Sequence, residues 1–177
     1  MKKFLLLIVS AILLFSYSCN DLSPVDELSE AAGLKSGKKV MNFTAHLSGD
    51  QEVPAVETKA TGQAIFQLNK DGMELNYKVI VANIIDVKMS HIHIAPAGTN
   101  GGVVVWLFPD GPPPGLLEGK TNGILAQGTI TADNLTGSLA GMQLSDLLDA
   151  MMTGNAYVNV HTVAHGGGEI RGQIMSH

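Results

Sequence analysis

Gln63-Ala64-Ile65-Phe66-Gln67-Leu68, then Asn69-Lys70-Asp71-Gly72, then Leu75-Asn76-Tyr77-Lys78-Val79-Ile80-Val81, is the stretch that decides the fold. Ala64, Phe66 and Leu68 alternate with Gln63, Ile65 and Gln67, and Leu75, Tyr77, Val79 and Val81 share one parity. A period of two is the signature of a strand with one face in a core. Gly72 suits the left-handed position of the turn between them, so the two runs read as a hairpin. Upstream, Phe43, Ala45 and Leu47 alternate with Thr44, His46 and Ser48. Downstream, residues 103–108 form a continuous apolar run, a more buried strand. Pro109 and Gly111-Pro112-Pro113-Pro114-Gly115 are loop, since proline gives no donor to a ladder. Residues 123–131, 156–163 and 168–175 supply further strands. Leu144, Leu147, Leu148, Met151 and Met152 instead recur at helical spacing, with Gly154 placed to end a helix. The expectation is an all-β domain over residues 41–177. About eight antiparallel strands and one short helix would form a β-sandwich or barrel, the sandwich being preferred.

The first forty of the 177 residues read differently. Lys2 and Lys3 precede an apolar run over residues 4–15, the pattern of a secretory signal and short for a membrane span. Ser16-Tyr17-Ser18 leads to Cys19, the only cysteine in the chain. A lone thiol in an exported protein has no internal partner, and lipidation accounts for it. The expectation is a signal peptide over 1–18, then a lipidated Cys19 and a tether over 19–40. Residues 20–39 are rich in Ser, Asp and Glu and would span roughly 25 Å. Such a protein would be exported and held by its acyl chains in the cell envelope, at the outer membrane or cell surface. Without Lys2 and Lys3, nine Lys and Arg face sixteen Asp and Glu, a net charge of −7. That excludes nucleic acid as a partner, because no basic stripe is present to neutralise phosphates.

The residues that carry chemistry centre on His91-Ile92-His93. On a strand, residues two apart share a face about 7 Å apart. Ile92 and Ile94 belong in the core, so both imidazoles point away from it. The same parity puts Asn159 and His161 opposite Val158 and Val160, and Glu169 and Arg171 opposite Ile170. His165 lies in the loop between those last two strands. Three imidazoles and a carboxylate, His91, His93, His161 and Glu169, would suit copper or zinc, with Arg171 and His165 in support. Parity does not place the His91 strand beside the His161 strand, however. On pattern alone the favoured reading is a polar network, Glu169 with Arg171 and the imidazoles donating to loop carbonyls. Glu52 reads as a solvated loop charge or, less readily, as a fourth oxygen donor. His46 and His177 read as incidental. No Ser-His-Asp or Cys-His set can be assembled, so no residue is assigned a catalytic role. Gly98-Thr99-Asn100-Gly101-Gly102 leads from strand to strand and lacks the helix N-terminus of a phosphate site.

Four segments together resemble the CHRD domain, first described in chordin and found in many secreted bacterial proteins. They are Leu47-Ser48-Gly49-Asp50-Gln51-Glu52-Val53-Pro54, His91-Ile92-His93, Tyr157-Val158-Asn159-Val160-His161-Thr162 and Gly168-Glu169-Ile170-Arg171-Gly172-Gln173-Ile174. The resemblance implies an immunoglobulin-like or related β-sandwich and an extracellular module, without a reaction to carry over. The His-x-His strand also resembles the metal strand of copper/zinc superoxide dismutases, an analogy of one short motif and a fold class. Two functions are expected from these readings. The first is an envelope-anchored, non-enzymatic module binding a metal, an extracellular protein or a glycan through its histidine face. The second is a copper- or zinc-dependent redox enzyme resembling superoxide dismutase. The first is the one adopted.

Overall fold

A computed structural model describes residues 41–177. The expected signal, Cys19 and tether lie outside them. The strands are β1 (Asn42–Ser48), β2 (Thr61–Leu68), β3 (Leu75–Ile94), β4 (Gly102–Phe108) and β5 (Leu117–Ile130), then, after the helix α1 (Leu144–Met152), β6 (Ala156–Thr162), β7 (Ile170–Gln173) and the short β8 (Met175–Ser176). The expected hairpin is β2 and β3, in register from Thr61 opposite Ala82 to Leu68 opposite Leu75. Gly72 at its turn has φ 75°.

All pairings are antiparallel, and the hydrogen-bonded path closes on itself through β1, β2, β3, β6, β7 and back to β1. β4 and β5 extend from β3, and β8 from β1. The all-β reading with eight strands and one helix therefore holds. The expected sandwich is revised to a five-stranded closed barrel with strands outside it.

β3 makes the closure possible because its two halves serve different neighbours. Leu75–Ala82 pairs with β2, and much of the same half with β5. The half from Val87 to Ile94 pairs with β6 and, from Ser90, with β4. Between the halves Asn83 (φ 58°) and Asp86 (φ 53°) adopt left-handed backbone. Asn and Asp are the side-chain-bearing residues that tolerate this best. The bend is held by side chains: Asn83 N–H donates to Asn122 Oδ1 (2.8 Å), and Gly119 N–H donates to Asp86 Oδ1 (2.6 Å).

Phe43, Phe66, Leu75, Ile92 and Ile170 lie fully buried in one core. The α1 side chains Leu144, Leu147, Leu148 and Met151 join it, each contributing roughly 1.5–3 kcal/mol by burial. The Gln143 N–H donates to Asp146 Oδ2 (2.8 Å) and caps the first turn. β6 is buried along its whole length on both faces. Ala156, Val158 and Val160 belong to the hydrophobic core. The opposite face carries Tyr157, Asn159 and His161.

Candidate metal centre

The pairing of β3 with β6 decides how the histidines meet. Met89 lies opposite His161, His91 opposite Asn159, and His93 opposite Tyr157. Opposed residues share a face. The face away from the core thus reads Trp106, His91, Asn159, Arg171 across β4, β3, β6 and β7. His161 stands diagonally beside His91.

His91 Nδ1 lies 3.2 Å from His161 Nε2. One ligand nitrogen from each of His91, His93 and His161 can be chosen so that all lie within 4.8 Å of one another. Three such atoms have a common point within about 2.8 Å of each. Ligand bonds of about 2.0–2.1 Å then need sub-ångström adjustments.

Hydrogen bonds to backbone carbonyls fix the tautomer of two of the three rings. His93 Nδ1 donates to the Gly101 carbonyl (3.0 Å) and His161 Nδ1 to the Gly166 carbonyl (3.1 Å). A carbonyl only accepts, so each Nδ1 holds the proton and each Nε2 keeps its lone pair. His93 Nε2 and His91 Nε2 have no hydrogen-bond partner among the described residues. Burial, and then repulsion from His161 and His93, pushes His91 down to about 3. Burial pushes His93 down to about 4 against its Gly101 bond. Burial lowers His161 as well. All three are neutral at pH 7, the form a metal binds.

Pointing away from the core does not expose these residues. His91, His93 and His161 are 2%, 7% and 6% exposed. The reason is a second cover. The loop 95–101 closes over β3 and β7, and the Trp106 ring stands edge-on to His91 at 4.3 Å. Gly101 has a structural reason to be glycine, because a side chain there would overlap the Ile94 carbonyl.

Arg171 fastens this cover. It is 1% exposed and lies 3.4 Å over the Tyr157 ring, which stacks on His93 at 4.8 Å. Its guanidinium donates to Thr99 O (2.8 Å), Pro96 O (3.3 Å) and Asn100 Oδ1 (3.2 Å). Glu169 is not its partner, contrary to the expected network. The Glu169 carboxylate accepts from Thr58 and Thr162 hydroxyls, each at 2.7 Å, and belongs to no group with the imidazoles. His165 also stands outside that group, half-buried beside a cavity of about 610 Å³ bordered by Lys59, Lys120 and Glu169.

Glu52 departs from expectation the other way. Instead of a solvated charge it is 6% exposed, with Oε1 unpartnered among the described residues. Burial pushes its carboxyl up to about 7, against the opposing pull of Arg171. Gly168 (φ 133°) leaves room for it, since a Cβ there would overlap both Glu52 Oε1 and the Asn159 amide. Trp106 and Tyr157 were not singled out from sequence, and Asn159 only as a neighbour of His161 facing away from the core. Only the register across β3, β4 and β6 brings them to the histidines. His46 is exposed, and the His177 ring bonds Thr44 Oγ1.

A family model described as the CHRD domain matches residues 43–174, from β1 through β7. No curated protein and no solved structure matches.

Proposed function

Because the chain belongs to the CHRD domain family, we propose that it is a non-enzymatic envelope module that holds one transition-metal ion, copper or zinc. The ligands are His91, His93 and His161. The observation that carries this reading is three neutral, buried imidazoles with ligand atoms within 4.8 Å of one another. Two of those rings are oriented by carbonyls that fix the tautomer. A redox enzyme needs a coordination position open to substrate. Burial of all three rings favours holding the ion over turning over a substrate on it. An extracellular protein or glycan would meet the covering loops, not the rings. Lys2, Lys3, the apolar run 4–15 and Cys19 support export and anchoring by a lipid on Cys19.

The test is metal content. The tag-free mature protein is loaded with copper or zinc, dialysed against a weak chelator and analysed by elemental mass spectrometry. About one ion per chain is expected, lost when His91, His93 and His161 are replaced together by glutamine. A chain that retains no stoichiometric metal would refute the reading.

A further inference from the structure

We infer that the ion this centre is built for is monovalent copper, Cu(I), held by the three imidazoles alone. The inference rests on the reading of His91, His93 and His161 as ligands and adds the charge of the ion. Every donor in the group is a neutral nitrogen. No carboxylate belongs to it among the described residues. The two buried carboxyl groups nearby are otherwise placed: both Glu169 oxygens accept from threonine hydroxyls, and Glu52 sits at Asn159 and Gly168.

The fixed charge stacked toward the site is positive. Arg171 lies on Tyr157, and Tyr157 lies on His93. The hydrogen bonds from Arg171 go to carbonyl and amide oxygens, and the carboxyl that feels its charge, Glu52, is itself pushed toward its neutral form by burial, so the charge is only partly offset. A cation placed here is dehydrated, keeps its full charge and faces a like charge across one aromatic ring. The cost of dehydration rises with the square of ionic charge, so a dication pays about four times what a monocation does.

Coordination number points the same way. Zn(II) in a three-histidine site takes water as a fourth ligand, and Cu(II) prefers four or more donors. Here the rings are 2–7% exposed. The loop bearing Gly101, the Gly166 carbonyl and Trp106 cover them. Cu(I) has a filled d shell and is satisfied by three nitrogens. Neutral donors, rings shielded from bulk water and a nearby guanidinium each disfavour a dication.

The experiment uses the mature chain carrying Cys19→Ser, so that no thiol contributes. Cu(I) is titrated anaerobically against bicinchoninate, and Zn(II) and Cu(II) against chromophoric chelators at the same pH. The expected result is one Cu(I) per chain, bound at least ~100-fold tighter than Zn(II). A ~100-fold preference over Cu(II) would raise the potential of the bound copper by about 118 mV relative to the aqueous couple. H93Q and H161Q, checked for folding by circular dichroism, are expected to weaken Cu(I) binding by at least ~100-fold. Wild-type Cu(I) affinity in either folded variant would place the ion elsewhere and overturn the inference. Tighter binding of Zn(II) or Cu(II) than of Cu(I) would also overturn it and leave the metal-holding function standing. Retention of none of the three ions would overturn both.

Discussion

Acidifying the metal-free protein from pH 7 to pH 5 is expected to destabilise it, by an amount that opposing groups set. His91 and His93 are held at about 3 and about 4 in the folded chain, against 6.5 when unfolded. Below pH 6.5 the unfolded chain takes up protons that the folded chain refuses, so stability falls as pH falls. Each ring loses about 2 kcal/mol between pH 7 and 5, together about 4 kcal/mol. His161, shifted in the same direction, adds to the loss. Glu52 acts oppositely. Its folded value of about 7 lies above 4.5, so the folded chain takes up the proton first and gains about 2 kcal/mol over the same interval. The net loss is about 2 kcal/mol before His161 is counted, a sizeable part of a typical domain's 5–15 kcal/mol. Urea unfolding at pH 5, 6 and 7, in the presence of chelator, measures it. Glu52→Gln removes the compensating group and is expected to steepen the decline to about 4 kcal/mol or more. A wild-type stability that is flat or rises on going to pH 5, with an unchanged slope in E52Q, would refute the reasoning about burial.

Four further outcomes are expected. Arg171→Met leaves Thr99 O, Pro96 O and Asn100 Oδ1 without their donor, and thermal melts are expected to show a loss of about 2–4 kcal/mol. Gly168→Ala forces a side chain onto Glu52 and Asn159 at a positive φ, and denaturant titration is expected to show at least about 2 kcal/mol of destabilisation. Trp106, the chain's sole tryptophan, touches His91, so copper loading is expected to quench tryptophan emission with about one equivalent. Emission that is indifferent to copper would count against the site. Cys19→Ser is expected to move the protein from the detergent phase to the aqueous phase in cloud-point partitioning of expressing cells.

Much of the fold was legible because the barrel strands keep strict alternation: Phe43, Ala45 and Leu47, or Ala64, Phe66 and Leu68, report one buried face each. The closure was not legible. It depends on Asn83 and Asp86 bending β3, and isolated polar residues in a strand do not announce a bend. At the site, parity separated His91, His93 and His161 from the core side chains but equated leaving the core with reaching solvent. β6 shows why that fails: Tyr157, Asn159 and His161 are as shielded as Val158 and Val160. The shielding comes in part from the loop 95–101, more than fifty residues away and pinned by Arg171, and in part from the Gly166–Gly168 turn beside His161. No local pattern announces such a cover. Glu52 was misjudged for the same reason, since its loop looks like any surface turn until Gly168 admits it.

The clasp that Arg171 makes on the loop 95–101 has a temporal consequence. His91 and His93 stand on the strand β3, so their backbone is held by the sheet. On the metal-holding reading, an ion passing on this side would wait for the loop to lift, which requires Arg171 to give up Thr99, Pro96 and Asn100. Exchange would then be paced by that opening, not by the strength of the nitrogen bonds. The domain would behave as a slow reservoir, keeping its cargo through brief changes outside and surrendering it only to something that loosens the loop.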